Sequence, residues 1–191
     1  MAVTRYDQRK NLEEAEANAI GTEYVRVDFL PTADAARARS LLRSYLDQRI
    51  LFYKTRDDRQ LQQIDASTTQ LETDLWSAVQ TPAAAQPTPV VTIAVTGMND
   101  VLNSKGSTQA AWWNRIPNAA WGLMAAIAIC CNFLIGYGAR RGPAKTMLLL
   151  VLPLIVSISF CLIADIDSPR GGIVRVNTQN LMKLSQSLHS H

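Results

Sequence analysis

Histidine is almost absent from this 191-residue chain: His189 and His191, at its C-terminal end, are the only two. Two histidines with no carboxylate beside them do not make a metal-binding set. No serine–histidine pairing, glycine-rich phosphate loop or histidine-rich metal motif occurs. These absences exclude the common hydrolytic, nucleotide-dependent and zinc-dependent enzyme classes. The chain reads as a non-enzyme with no cofactor and no evident small-molecule substrate. Cysteine is scarce as well. Cys130, Cys131 and Cys161 all fall within apolar runs, where they read as small apolar residues rather than ligands or redox groups. Aromatic residues make up only 7%, and no basic patch is interleaved with them, which removes support for nucleic-acid binding. No internal repeat is visible.

Charge is missing altogether from two long stretches, residues 119–138 and 146–164. A helix of about 20 residues spans about 30 Å, the thickness of a bilayer's hydrocarbon core. The seven residues between them, 139–145, suffice only for a tight turn. The pattern predicts a two-helix transmembrane hairpin. A cleaved signal peptide is excluded by position, because both runs lie in the C-terminal third. Trp112, Trp113 and Trp121 are expected at one membrane interface and Tyr137 at the other. Pro153 predicts a bend in the second membrane helix, where Ser157 and Ser159 can satisfy freed carbonyls.

Charge elsewhere is uneven. Residues 1–116 carry 13 basic and 14 acidic side chains, and residues 117–191 the remaining 6 and 2. The positive excess therefore flanks the apolar runs and suits an anionic lipid surface. The turn holds Arg140, Arg141 and Lys145, which favours a cytoplasmic turn. Lys105, Arg115, Arg170, Arg175 and Lys183 flank the hairpin more thinly. Two crossings place both ends of the chain on the same side.

Residues 1–111 read as an extramembrane region of three or four amphipathic helices. The first, over 4–30, carries Leu12, Ala15, Ala19, Val27 and Leu30, with Asn11, Glu13, Glu14 and Glu16 on other faces. Gly21 predicts a kink or close contact, and Pro31 ends the helix. Thr32 is expected to cap the second helix. Its stripe is Leu41, Leu42, Tyr45, Leu46, Ile50 and Tyr53, with Arg37, Arg39, Arg43, Asp47 and Arg49 off it. A third helix, about 57–80, spaces Leu61, Ile64, Thr68, Leu71 and Leu75 as heptads. Residues 81–89 read as a linker. A fourth helix over 90–104 puts Val91, Val95, Met98 and Leu102 on one face, with Gly97 weakening it. These stripes need partners, either each other or copies of the chain in a homo-oligomer.

The hairpin region, 112–166, supplies the candidate functional residues. Gly122, Ala126 and Cys130 fall four apart, a spacing that lets helices approach closely. Asn132 is the one strongly polar side chain of the first run, and it is expected to find a partner on a neighbouring helix. Asp165 and Asp167 follow the second run. Two carboxylates at a helix C-terminus oppose its dipole, so pairing with Arg170 or Arg115 is expected. The tail, 167–191, holds a short extended piece at 173–176 and a helix with Leu181, Leu184 and Leu188 on one side.

Three stretches carry a resemblance. They are Arg5-Tyr6-Asp7-Gln8-Arg9-Lys10 through Glu14-Ala15-Glu16-Ala17-Asn18-Ala19-Ile20-Gly21-Thr22, Leu41-Leu42-Arg43-Ser44-Tyr45-Leu46-Asp47-Gln48-Arg49, and Ile163-Ala164-Asp165-Ile166-Asp167-Ser168-Pro169-Arg170 with Gly172-Ile173-Val174-Arg175-Val176. Together they resemble a family of bacterial membrane proteins with a bestrophin-like domain, over nearly the whole chain. The resemblance implies an all-α integral membrane protein of the inner membrane, multi-pass and oligomeric. Bestrophins are oligomeric anion channels with a similar order of membrane helices and helical domain. The implied role is a channel subunit, with Asp165, Asp167 and Arg170 at one mouth and Asn132 along the path. The alternative is a membrane-anchored helical interaction or sensory module. No bestrophin pore motif can be assigned residue by residue. Bestrophin termini are cytosolic, opposite to what the turn charges favour. Family members usually carry two further membrane helices before the helical region. The resemblance therefore implies that this chain starts where the second would leave the membrane, and that the complete form has four.

Overall fold

A computed structural model describes the backbone of residues 2–138, 143–168, 170–172 and 175–190, with side chains of these apart from 2, 138 and 143–150. All regular structure among the described residues is helical: α1 (Ala2–Arg26), a 3₁₀ turn (Val27–Phe29), α2 (Thr32–Lys54), α3 (Asp58–Ala85), α4 (Pro89–Trp113), α5 (Asn118–Gly138), α6 (Pro143–Asp167) and α7 (Gln179–His189). The chain divides into two compact units. The helical unit comprises Thr4–Trp113 with Val176–His191; the apolar unit comprises Met1–Val3 with Asn114–Arg175.

In the helical unit, α2 packs on α3 and α7, and α3 packs on α4. Each of the long helices buries one face at alternating spacings of three and four. On α4 that face is Val91, Ala94, Met98, Val101, Lys105, Thr108 and Trp112. On α3 it is Ile64, Thr68, Leu75, Val79 and Pro82, with Leu61 and Leu71 half-buried, as the heptad spacing predicted. A period of 3.5 keeps one seam facing its neighbours over six or seven turns.

Local chemistry sets the ends. Asp57 caps α3 by accepting a hydrogen bond from the Arg59 N–H at 2.9 Å. Thr88 accepts from Val91 N–H at 3.2 Å, and Pro89 begins α4, where a missing N–H is harmless. Three expectations shift. Thr32 is the first residue of α2 rather than its cap; Pro31 holds the cap position, without a side-chain hydrogen bond. The linker shrinks to residues 86–88, because α3 runs through buried Pro82 and the strong helix formers Ala83, Ala84 and Ala85. Helix α4 continues nine residues past 104, carried by the burial of Lys105, Thr108 and Trp112. Gly21 lies inside α1, which runs unbroken from Ala2 to Arg26. It allows close approach of α7, since a methyl there would stand 3.2 Å from Leu184 Cδ1.

In the apolar unit, α5 and α6 pack on one another, with the Trp121 and Phe160 rings 6.2 Å apart. A groove of about 340 Å³ between them is lined by Met124, Ala128, Cys131, Val156 and Phe160 among others. Among the described residues one stretch, within Pro89–Tyr137, is long and apolar enough to cross a membrane, with mean hydropathy 1.9 and none of its most apolar window buried. The turn cations Arg140 and Arg141, and Ile173 and Val174 of the expected extended piece, lie outside the described residues.

Candidate functional site

The interior of the helical unit is charged. The buried face of α1, continued by Val27 of the 3₁₀ turn, includes Arg9, Glu13, Glu16, Ile20 and Glu23, so the six are spaced four, three, four, three, four. Sequence reasoning put Glu13 and Glu16 on faces other than the apolar stripe; both are completely buried. Arg49 was placed off the α2 stripe, yet it is 1% exposed. Leu42, Tyr45, Arg49 and Tyr53 follow one another at three or four residues, so Arg49 lies on the buried seam.

Glu16 is the hub. Its carboxylate takes a two-pronged ion pair from Arg49, whose Nε donates to Oε1 and whose Nη2 donates to Oε2 at 3.3 Å. Oε2 also accepts from Tyr53 Oη at 3.0 Å and Thr108 Oγ1 at 3.2 Å. One carboxylate thus joins α1, α2 and α4. The Arg49 guanidinium also lies over the Phe52 ring, 4.5 Å from its centre. Burial disfavours the charged form of Arg49, but the contact and hydrogen bonds with Glu16 outweigh it and its proton is held more tightly than usual. Burial, reinforced by the Glu16 charge, pushes the Tyr53 and Tyr45 hydroxyls well above the ordinary phenol range. All three side chains keep their protonation states at any physiological pH. The cluster is a polar joint that ties α1, α2 and α4 together.

Other charges do similar work. Glu13 accepts from the Leu181 N–H at 3.0 Å and from Asn180 Nδ2 at 2.8 Å, so a residue on α1 caps the N-terminus of α7. Arg9 Nε donates to the Ala111 carbonyl at 3.2 Å, near the end of α4. Lys105 was expected as a membrane-flanking cation. It is buried in the helical unit, 2.9 Å from Glu72 Oε2 and 3.7 Å from Asp65 Oδ1. Trp112 was expected at the membrane interface. It is 3% exposed, with its ring 5.3 Å from Phe52 and 5.4 Å from Tyr53. Its neighbour Trp113 is 75% exposed.

The expected functional residues all belong to the apolar unit. Asn132 Nδ2 donates to the Ala128 carbonyl one turn back, at 2.7 Å, a bond within α5 that engages one of its two amide hydrogens. Gly122, Ala126 and Cys130 are exposed, and a methyl at Gly122 would meet nothing within 4 Å. The face packed on α6 is another one, carrying Trp121, Met124 and Ala128.

Asp167 is buried and receives the Ile116 N–H on both carboxylate oxygens, at 3.1 and 3.2 Å. Its charge therefore lies beside the start of α5, where the helix dipole favours an anion. The Ile116 N–H, two residues before α5, is one partner of Asp167 that residue spacing does not reveal. Asp165 is half-buried against Gly172, where a methyl would collide with its carbonyl oxygen and approach Cγ to 3.1 Å. Arg170 lies in the same turn, half-buried. Among the described residues no cluster could hold a metal ion.

A family model described as "Bestrophin-like domain" matches residues 1–181. No curated protein and no solved structure matches the chain.

Proposed function

The chain belongs to the bestrophin-like family, and from that premise we propose that it is a multi-pass integral membrane protein acting as a subunit of an oligomeric anion channel. The observation that carries the membrane placement is the outer surface of α5 and α6. Leu123, Ile129, Phe133, Leu134 and Tyr137 are 64–86% exposed, and Leu154, Ile155, Ile158 and Leu162 are 51–60% exposed. Each large apolar side chain left in water forgoes about 1.5–3 kcal/mol of burial. A row of this length is stable against hydrocarbon, so α5 and α6 cross the bilayer as a hairpin and lipid is their first partner. The open small-residue face of Gly122, Ala126 and Cys130 supports close packing of α5 against a second copy. In this reading Asp165, Asp167 and Arg170 sit at one mouth of the path. Asn132, which can release its own-helix bond, contributes the polar group along it.

Chloride efflux from liposomes tests the proposal. The purified chain, reconstituted at known oligomeric state, is expected to release chloride faster than empty liposomes. Asp165→Asn or Asn132→Leu is expected to slow release several-fold without changing assembly. No release from a folded oligomer would overturn the channel reading. It would favour a membrane-anchored interaction module, which has one supporting observation: Val25, Phe29, Val90 and Ile93 are 43–66% exposed on α1, the 3₁₀ turn and α4 of the helical unit.

A further inference from the structure

One buried acid of α1 is treated differently from the rest. Glu13 meets two donors and Glu16 meets three side chains. Glu23 is fully buried too, yet neither of its carboxylate oxygens has a hydrogen-bond partner among the described residues. It occupies the space left by a missing side chain on α4. A methyl at Gly97 would collide with Glu23 Oε2 and stand 2.8 Å from Arg26 Nη1. Gly97, which weakens α4 as a helix, is what lets the carboxyl group be enclosed.

An ionised carboxylate without donors is costly to enclose, whereas the neutral acid is far less so. Burial pushes Glu23 up to about 8, with Arg26 opposing and Asp100 adding to the rise. The charged groups acting on it are therefore Arg26 from its own helix and Asp100 from α4. Asp28 of the 3₁₀ turn is ion-paired to Arg39 of α2. Lys183 of α7 lines a separate groove with Gly21 and Val25.

We propose that Glu23 and Gly97 form a proton-operated latch between α1 and α4: the neutral acid seats in the glycine gap, and its ionisation expels the side chain and opens the contact. The 3₁₀ turn, which packs on α4, moves with it. This goes beyond the channel reading and does not depend on it. The sign follows from linkage. The folded chain holds this proton more tightly than the unfolded chain does, so the latch's stabilisation is full below about pH 4.5 and is lost as pH rises towards about 8.

Hydrogen exchange of the full chain in detergent micelles, corrected for intrinsic rates, tests the latch between about pH 5 and about pH 9. Protection of segments 20–29 and 91–101 is expected to fall about tenfold across the midpoint, while α7 changes little. Glu23→Gln is expected to abolish that fall. Asp100→Asn, at an exposed site, removes a charge that holds the proton on Glu23 and is expected to move the midpoint to lower pH. If Glu23→Gln does not fold, the direction of the Asp100→Asn shift decides. An unchanged fall in Glu23→Gln, or a midpoint unmoved by Asp100→Asn, would overturn the latch.

Discussion

Replacing Arg49 by methionine is expected to destabilise the helical unit by about 3–5 kcal/mol. Methionine matches the length of the arginine stem and leaves the seam filled. The loss is then chiefly electrostatic: the Glu16 carboxylate would stay enclosed with only the hydroxyls of Tyr53 and Thr108 to meet it. The second half of the test is the double variant Arg49→Met with Glu16→Leu. Removing both charges removes the enclosed, uncompensated one, so the double variant is expected to recover at least about 2 kcal/mol relative to the sum of the single changes. Denaturant unfolding in micelles, read by tryptophan fluorescence, measures all four proteins. Simple additivity would show that the two groups act separately, against the paired geometry.

The second large effect concerns two adjacent tryptophans. Trp112→Ala is expected to cost about 3–5 kcal/mol, because it empties a buried site packed edge-on against Tyr53 and tilted against Phe52. Trp113→Ala, on a side chain that is 75% exposed, is expected to cost under about 0.5 kcal/mol of helical-unit stability. If both served only as interfacial anchors, the two substitutions would have similar and small effects on unfolding. Equal costs would contradict the burial of Trp112 in the helical unit.

These cases show what residue patterns could and could not reveal. The heptad spacing of α3 was legible because its seam is apolar. The apolar part of the α2 seam was legible too, but Arg49 and the charged residues of the α1 seam were missed because hydrophobicity was used to find them. Arg9, Glu13, Glu16 and Glu23 keep the same three-four rhythm as Ile20 and Val27, so the period alone would have placed them inside. Arg49 stands four residues from Tyr45 and from Tyr53, which carries the same signal. Two kinds of feature had no local sign. Glu13 caps a helix that begins 166 residues later, and Asp167 binds a backbone N–H beside the start of α5. Such partners depend on tertiary placement. Trp112 was assigned to the membrane by its proximity to an apolar run, although α4 still had one more turn of core to fill. Pro82 was read as a breaker, but three following alanines and burial outweighed one missing hydrogen bond.

The charged interior also bears on assembly. A bundle whose register is set by Glu16–Arg49, Lys105–Glu72 and Glu13 at α7 has few alternative packings, since a slip of one residue would strand buried charges.

If α5 and α6 lie in hydrocarbon, their three cysteines report it directly. Cys130, Cys131 and Cys161 are free thiols exposed on the surface of these helices. In water all three would react with a membrane-impermeant maleimide. Labelling intact membranes with that reagent, before and after dissolving them in denaturing detergent, is expected to give little modification before and complete modification after. Full labelling of all three in intact membranes, with the protein released by an alkaline wash, would contradict the membrane hairpin and the channel reading built on it.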